Sequence, residues 1–267
     1  MKIEESLNVN FDQSPPPMSP PLEDDDVLKC DFIENQEKDL EIKENELLDS
    51  EVINIKESND HLLDTIIGTK WVFEDKLDEN DVVSRNKARL AAQEYNQLEG
   101  IYFDETYAPV ARLESIRILF AYACAHDFKL YQIDVKSAFL NGFINEEVYV
   151  AQPPGFIDFE KPNHVFKLKK ALYGLKQAPK AWYDRLKAFI IKHKYTMRLV
   201  DNTLFTKKRN SHISIVQIYV DDIIFGSTCQ ELCDDFSKIM HDEFEMSMMD
   251  ELNFSLGLQI KQLDDGI

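Results

Sequence analysis

The sequence predicts a mixed α+β fold in which antiparallel hairpins build a sheet with helices on one face. Three observations predict it. Apolar runs with period two recur, as in "LYQIDV" (130–135) and "QIYVDDIIFG" (217–226). Between and after them stand runs with helical spacing, over 112–126, 178–194 and 230–243. Turn chemistry such as "LDEND" (77–81) separates neighbouring strand-like runs.

Each element follows in order. Residues 1–65 read as a disordered acidic segment, with a proline cluster "SPPPMSPP" (14–21), an acidic run "EDDD" (23–26) and few aromatics. Inside it the composition allows a short helix near 37–48, which lies outside the residues described below. Order is expected from about Ile66, and "KWVFEDKLDENDVVSRNKARLAAQ" (70–93) reads as strand, turn, strand. Leu113, Ile116, Leu119, Phe120 and Ala123 then share a helix face. In the strand at 130–135, Tyr131, Ile133 and Val135 face one way and Leu130, Gln132 and Asp134 the other. Strand-like pieces follow at 147–152 and 164–170, and Trp182, Leu186, Phe189 and Ile190 fit a helix. "HISIVQIYV" and "IIFGS" bracket an Asp pair as a hairpin; Leu232, Phe236, Ile239 and Met240 fit a helix; 253–262 reads as a strand or hairpin arm.

Composition narrows the function classes. Of 267 residues, 44% are hydrophobic, enough for a packed core, and the formal net charge is −19. That charge is unevenly spread. Residues 1–64 hold five Lys, no Arg and nineteen acidic residues, whereas 161–209 hold fourteen Lys+Arg against Asp184 and Asp201 alone. A basic block on a near-neutral domain suits phosphate tracking, although solvated helix faces give the same composition. Cys30, Cys124, Cys229 and Cys233 form no CxxC pair and suit free thiols in a reducing compartment. No signal peptide and no long apolar run point to a membrane.

The chemistry concentrates at Asp221 and Asp222, which interrupt an apolar run where strand interiors disfavour Asp. At a hairpin tip the objection disappears, because a tip is solvated and Asp tolerates turns. A lone Asp-Asp turn is usually only a turn. Asp134 ends another alternating strand, and a neighbouring placement would converge three carboxylates. Such a cluster repels itself without cations. Two divalent ions about 4 Å apart would neutralise it and support in-line phosphoryl transfer. Oxygen-only donors suit Mg²⁺, with Mn²⁺ able to stand in. Alternation predicts that Asp221 shares the ions with Asp134 and that Asp222 is the looser partner.

These residues carry a resemblance. "RNKARLAAQEYNQ" (85–97), "FDETYAPVARLESIR" (103–117), "QIDVKSAFLNG" (132–142), "ALYGLKQAPKAWY" (171–183) and "YVDD" (219–222) stand in the order found in copia-type LTR retrotransposon reverse transcriptases. From about Gly68 onward the chain resembles that family. The resemblance implies a right-hand polymerase of fingers and palm over 66–267, its antiparallel palm sheet backed by helices. It implies an RNA-directed DNA polymerase, with Asp134, Asp221 and Asp222 as catalytic metal ligands. Phe139 would stand beside the sugar and exclude a 2′-OH, and Gln177 would touch the incoming nucleotide. Lys76, Arg85, Lys87 and Arg89 are the candidate triphosphate contacts. Tyr219 and Gly257 would hold the primer end, with Lys176 and Lys180 near phosphate. Implied partners are an RNA or DNA template with primer, dNTPs and other Pol polyprotein parts, with no membrane. Implied locations are cytoplasmic virus-like particles and the nucleus.

The chain also departs from the family. Asp81, Glu94 and Asp250 stand where Gly is usual, and Ser255 where an aromatic is usual. Set against the family, RNase H, integrase and protease regions and most of a thumb are expected to be missing from these 267 residues. An alternative class of reading follows: a catalytically silent relic that at most binds nucleic acid.

Overall fold

The β-branched runs assemble into sheets whose ladders satisfy their backbone groups. The structure, a computed structural model, describes residues 50–54, 66–77, 82–93, 97, 103, 106–247, 250–255 and 258–262. All lie in the unit Glu46–Ile267. The strands are β1 (Ser50–Asn54), β2 (Ile66–Ile67), β3 (Thr69–Leu77), β4 (Val83–Ala92), β5 (Leu130–Asp134), β6 (Tyr149–Ala151) and β7 (His164–Leu168). They continue as β8 (Thr196–Met197), β9 (Leu204–Arg209), β10 (His212–Tyr219), β11 (Asp222–Ser227), β12 (Asp250–Glu251), β13 (Phe254–Ser255) and β14 (Leu258–Gln259). The helices are α1 (Leu113–Ala125), α2 (Ala178–Lys192) and α3 (Gln230–Glu243), with a 3-10 turn at Ala138–Asn141.

The central sheet has six antiparallel strands in the order β12-β5-β11-β10-β9-β8. Ile133, Val216, Ile218, Ile223 and Phe225 pack on one face against Trp182, Leu186 and Ile190 of α2 and Phe236 and Met240 of α3. Leu130, Ile215 and Ile224, one residue out of phase, pack on the opposite face with Leu119 and Ala123 of α1. The expectation of helices on one face is therefore corrected: two helices cover one face and α1 the other. Both faces are apolar, so both need a cover.

A second sheet, β1-β7-β6-β2, packs over Ile144, Val148, Val150, Leu168, Leu172 and Leu175. Its β2–β6 pair is parallel. Strand β1 falls inside the segment expected to be disordered, and pairs with β7 from Ser50↔Leu168 to Asn54↔His164. The expected boundary at 65 is thus too late. The acidic composition hid a short "SEVIN" strand that completes the exposed edge of β7.

The β3–β4 hairpin stands on a fixed base. Gln93 N–H donates to Gly68 O (2.8 Å) and Ala92 N–H to Tyr173 O (2.7 Å). Gly174 sits at φ +87°, where a Cβ would lie 2.4 Å from Ala92 O, so this approach requires glycine. Farther along the hairpin Phe73 is 76% exposed. Among the described residues no helix is long and apolar enough to cross a membrane.

Candidate active site

Strands β10 and β11 pair down to Tyr219↔Asp222, which leaves Val220 and Asp221 as a two-residue loop. Val220 has φ +57° and Asp221 is not in that region, as in a type II′ turn, whose first position normally takes Gly. A β-branched residue there is strained, by about 1–3 kcal/mol. Neighbouring elements hold the turn in place. Trp182 Nε1–H, from α2, donates to Val220 O (2.7 Å), and Val135 N–H donates to Asp221 O (3.0 Å).

The register between β11 and β5 sets Asp222 directly opposite Asp134. The Asp pair is therefore divided: Asp221 is exposed in the turn, while Asp222 is half-buried at the first position of a strand. Gln132 shares the Asp222 face, and its Nε2–H donates to Asp222 Oδ1 (2.7 Å). Burial pushes the Asp222 carboxyl above its ordinary value, Gln132 opposes the rise, and the charges of Asp221 and Asp134 add to it. Asp221 and Asp134 thus both lie within electrostatic reach of Asp222.

Their donor chemistry fits a hard divalent cation. All three offer oxygen alone, and their mutual repulsion is relieved by positive charge. Among the described residues, no group of three or more Asp, Glu, His or Cys side chains, these three carboxylates included, is arranged as a site that could hold a metal ion through the protein alone. Mg²⁺ does not demand one, since it keeps waters and takes substrate phosphate oxygens.

A polar and aromatic wall includes Tyr173, which the Asp221 charge reaches. Phe139, in the 3-10 turn after Ser137, stacks against Tyr173 with ring centroids 5.5 Å apart. Gln177 occupies the position before α2 without a side-chain capping bond and is only 2% exposed, yet among the described residues neither its Nε2 nor its Oε1 has a hydrogen-bond partner. A buried amide with both ends unmet costs about 1–3 kcal/mol at each and calls for a ligand or water. Arg89, from β4, pairs with Glu74 and lies 5.7 Å over the Tyr173 ring.

Residues 58–267 match the family model described as "Reverse transcriptase (RNA-dependent DNA polymerase)". The chain belongs to the reverse transcriptase family. It is similar to the retrovirus-related Pol polyprotein from transposon RE1 of Arabidopsis thaliana, 38% identical over 76% of this chain and 14% of that protein. A similar protein from transposon TNT 1-94 of Nicotiana tabacum is 36% identical over 72% of this chain and 14% of that one. The Ty1-LR2 Gag-Pol polyprotein of Saccharomyces cerevisiae is 30% identical over 61% of this chain and 9% of its own length. The reverse transcriptase chain thus spans about one seventh of the plant Pol polyproteins it matches. The copia-type retrotransposon assignment holds, and so does the mixed α and β architecture.

The remaining sequence-predicted residues distribute unevenly around the carboxylates of this reverse transcriptase. Lys87 lies opposite Glu74 on the β3–β4 ladder, and Lys76 opposite Arg85. Lys176 is engaged within the chain: its Nζ donates to Gln97 O (3.1 Å) and lies 5.3 Å from the Phe103 ring centre. Lys180 pairs with Asp184 one turn along α2. Tyr219 is the last β10 residue, half-buried beside the turn. Gly257, Asp81 and Glu94 lie outside the described residues.

Sequence reasoning assigned Trp182 to a helix face and gave Tyr173 and Gln132 no role. A signal existed for Trp182, because a buried indole N–H needs an acceptor. For Tyr173 the pointer was Gly174, whose lack of a side chain allows the approach to β4.

Proposed function

We propose that the chain is the polymerase portion of a copia-type retrotransposon Pol polyprotein, adding dNTPs to a primer 3′-OH on an RNA or DNA template. The β3–β4 hairpin acts as fingers and the six-stranded sheet as palm, in a domain that starts by Ser50. The observation that carries this reading is the register that sets Asp134 against Asp222 beside the Val220–Asp221 turn.

Asp134, Asp221 and Asp222 would hold two Mg²⁺ (or Mn²⁺) ions, whose charge lowers the pKa of the primer hydroxyl and stabilises the pyrophosphate oxygens. Gln177 offers an unmet donor and acceptor to the incoming nucleotide. Phe139 fills the space beside the sugar and excludes a 2′-OH. Arg89 and Lys87 of β4, with Lys76 of β3, approach the triphosphate, Arg89 being oriented by Glu74. Tyr219 and Gly257 support the primer end. Lys180 faces backbone phosphate, and Lys176 shapes that wall through Gln97. Other Pol parts would accompany the chain, in cytoplasmic particles and the nucleus.

Primer extension on poly(rA)/oligo(dT) with Mg²⁺ or Mn²⁺ tests the reading. Extension by the wild-type chain that is abolished in Asp221→Asn is expected, since metal charge stabilisation is worth several kcal/mol. No extension by the wild type, or undiminished extension by Asp221→Asn, refutes it.

A further inference from the structure

Tyr173 touches two points on the segment that carries Phe139. Its ring packs on the Phe139 ring at 5.5 Å with a 54° tilt. Its hydroxyl interacts with Ser137, the residue at φ +51° that turns the chain into the 3-10 segment. The other side of Tyr173 is tied to the hairpin. The Arg89 guanidinium lies over its ring, its carbonyl accepts the Ala92 N–H, and its backbone bridges to Ala91. Gly174 lies so close to β4 that an added Cβ would stand 2.4 Å from Ala92 O. Tyr173 also feels the catalytic turn: burial pushes its hydroxyl up, Arg89 opposes this, and the Asp221 charge adds to the rise.

Phe139 by contrast is only half-buried and sits at the junction of two core clusters. A half-buried Phe in a one-turn segment has rotamer freedom unless something backs it. We infer that Tyr173 is the positioning residue that holds the Phe139 ring in place as the sugar gate, so that the β4 strand, through Tyr173, sets the selection of deoxyribose over ribose. This rests on the polymerase reading, which supplies the gate itself.

The test compares dTTP with rUTP in single-nucleotide incorporation on poly(rA)/oligo(dT), as the ratio of kcat/KM values for the full chain. Tyr173→Ala should lower that ratio by about tenfold or more, while Tyr173→Phe, which keeps the ring, should stay within about twofold. In a Phe139→Val background Tyr173→Ala should add little, because the gate it backs is gone. Tyr173→Leu keeps apolar volume without the ring plane and carries the same expectation should Tyr173→Ala unfold. An unchanged ratio in both Tyr173→Ala and Tyr173→Leu, or a full additive loss on top of Phe139→Val, overturns the inference. In parallel, anisotropy of fluorescent dTTP and rUTP analogues with Mg²⁺ measures binding without turnover. A deoxy preference lost in Tyr173→Ala supports Tyr173 even where no extension occurs, and then only the polymerase reading fails. No preference in the wild type by either readout overturns Tyr173's role.

Discussion

Replacing Trp182 by Phe removes one donor from the strained turn that presents Asp221. The Val220 carbonyl loses its 2.7 Å partner, which costs about 1–3 kcal/mol for an acceptor left unmet. Trp182 is 1% exposed, so the smaller ring also leaves a gap beside Phe244 worth about 1 kcal/mol. The loss is partly offset because the turn, once released, can relax the Val220 strain of about 1–3 kcal/mol. With about half of that strain relieved, a net cost of about 1–3 kcal/mol follows. With a urea slope of about 2 kcal/mol/M, the unfolding midpoint should fall by about 0.5–1.5 M. The decisive assay is a double-mutant cycle with Val220→Gly. In the wild type, Gly at φ +57° removes strain; in Trp182→Phe the turn has already relaxed, so Gly gains less. The intrinsic flexibility cost of Gly is common to both backgrounds and cancels. A coupling of about 0.5–1.5 kcal/mol is expected. Additivity within about 0.3–0.5 kcal/mol would show that the indole does not hold the turn.

Two further outcomes follow from the same geometry. Asp222 has a folded pKa above its unfolded value, so the native state binds the extra proton, and its contribution to stability is lost as pH rises above about 4 and regained as pH falls. Asp222→Asn keeps an acceptor for Gln132 without the charge, so urea midpoints should favour the variant over wild type increasingly from about pH 4 to pH 7; parallel curves would show that burial and the neighbouring charges do not raise the Asp222 carboxyl. Gly174→Ala places a Cβ 2.4 Å from Ala92 O at φ +87° and should cost about 2–4 kcal/mol by thermal unfolding, with faster proteolysis in the β3–β4 hairpin. A variant within about 0.5 kcal/mol of wild type would remove Gly174 from the hairpin's anchorage.

Much of the central sheet was legible because two periods suffice to read it. Ile133 and Ile223 alternate with Gln132 and Asp222, and helical spacing located α1, α2 and α3 within two residues at each end. Strand β1 was not legible, since "SEVIN" is too short to rise above an acidic background, and only the edge of β7 gives it a reason to be extended. Strand β9 was missed because Lys207, Lys208 and Arg209 mask its pairing with β10. At the site, the carboxylates were legible as residues but not in their arrangement. Sequence placed both Asp at the tip, whereas the ladder runs one residue farther and sets Asp222 against Asp134. The strain at Val220 was invisible, because Val carries no turn signature. Lys176 read as a surface charge until Gln97 and Phe103, far away in sequence, came beside it. Tyr173 gained its position from tertiary contact alone.

On the proposed polymerase reading, strand register would gather Asp134, Asp221 and Asp222 into one cation-binding group once substrate and ions are present. Mn²⁺ titration of the full chain, read by electron paramagnetic resonance in the presence of primer–template and dNTP, tests it most directly. The account predicts two bound ions per wild-type chain, with at least one lost in Asp134→Asn and in Asp221→Asn. Equal Mn²⁺ occupancy in the wild type and both variants would contradict it.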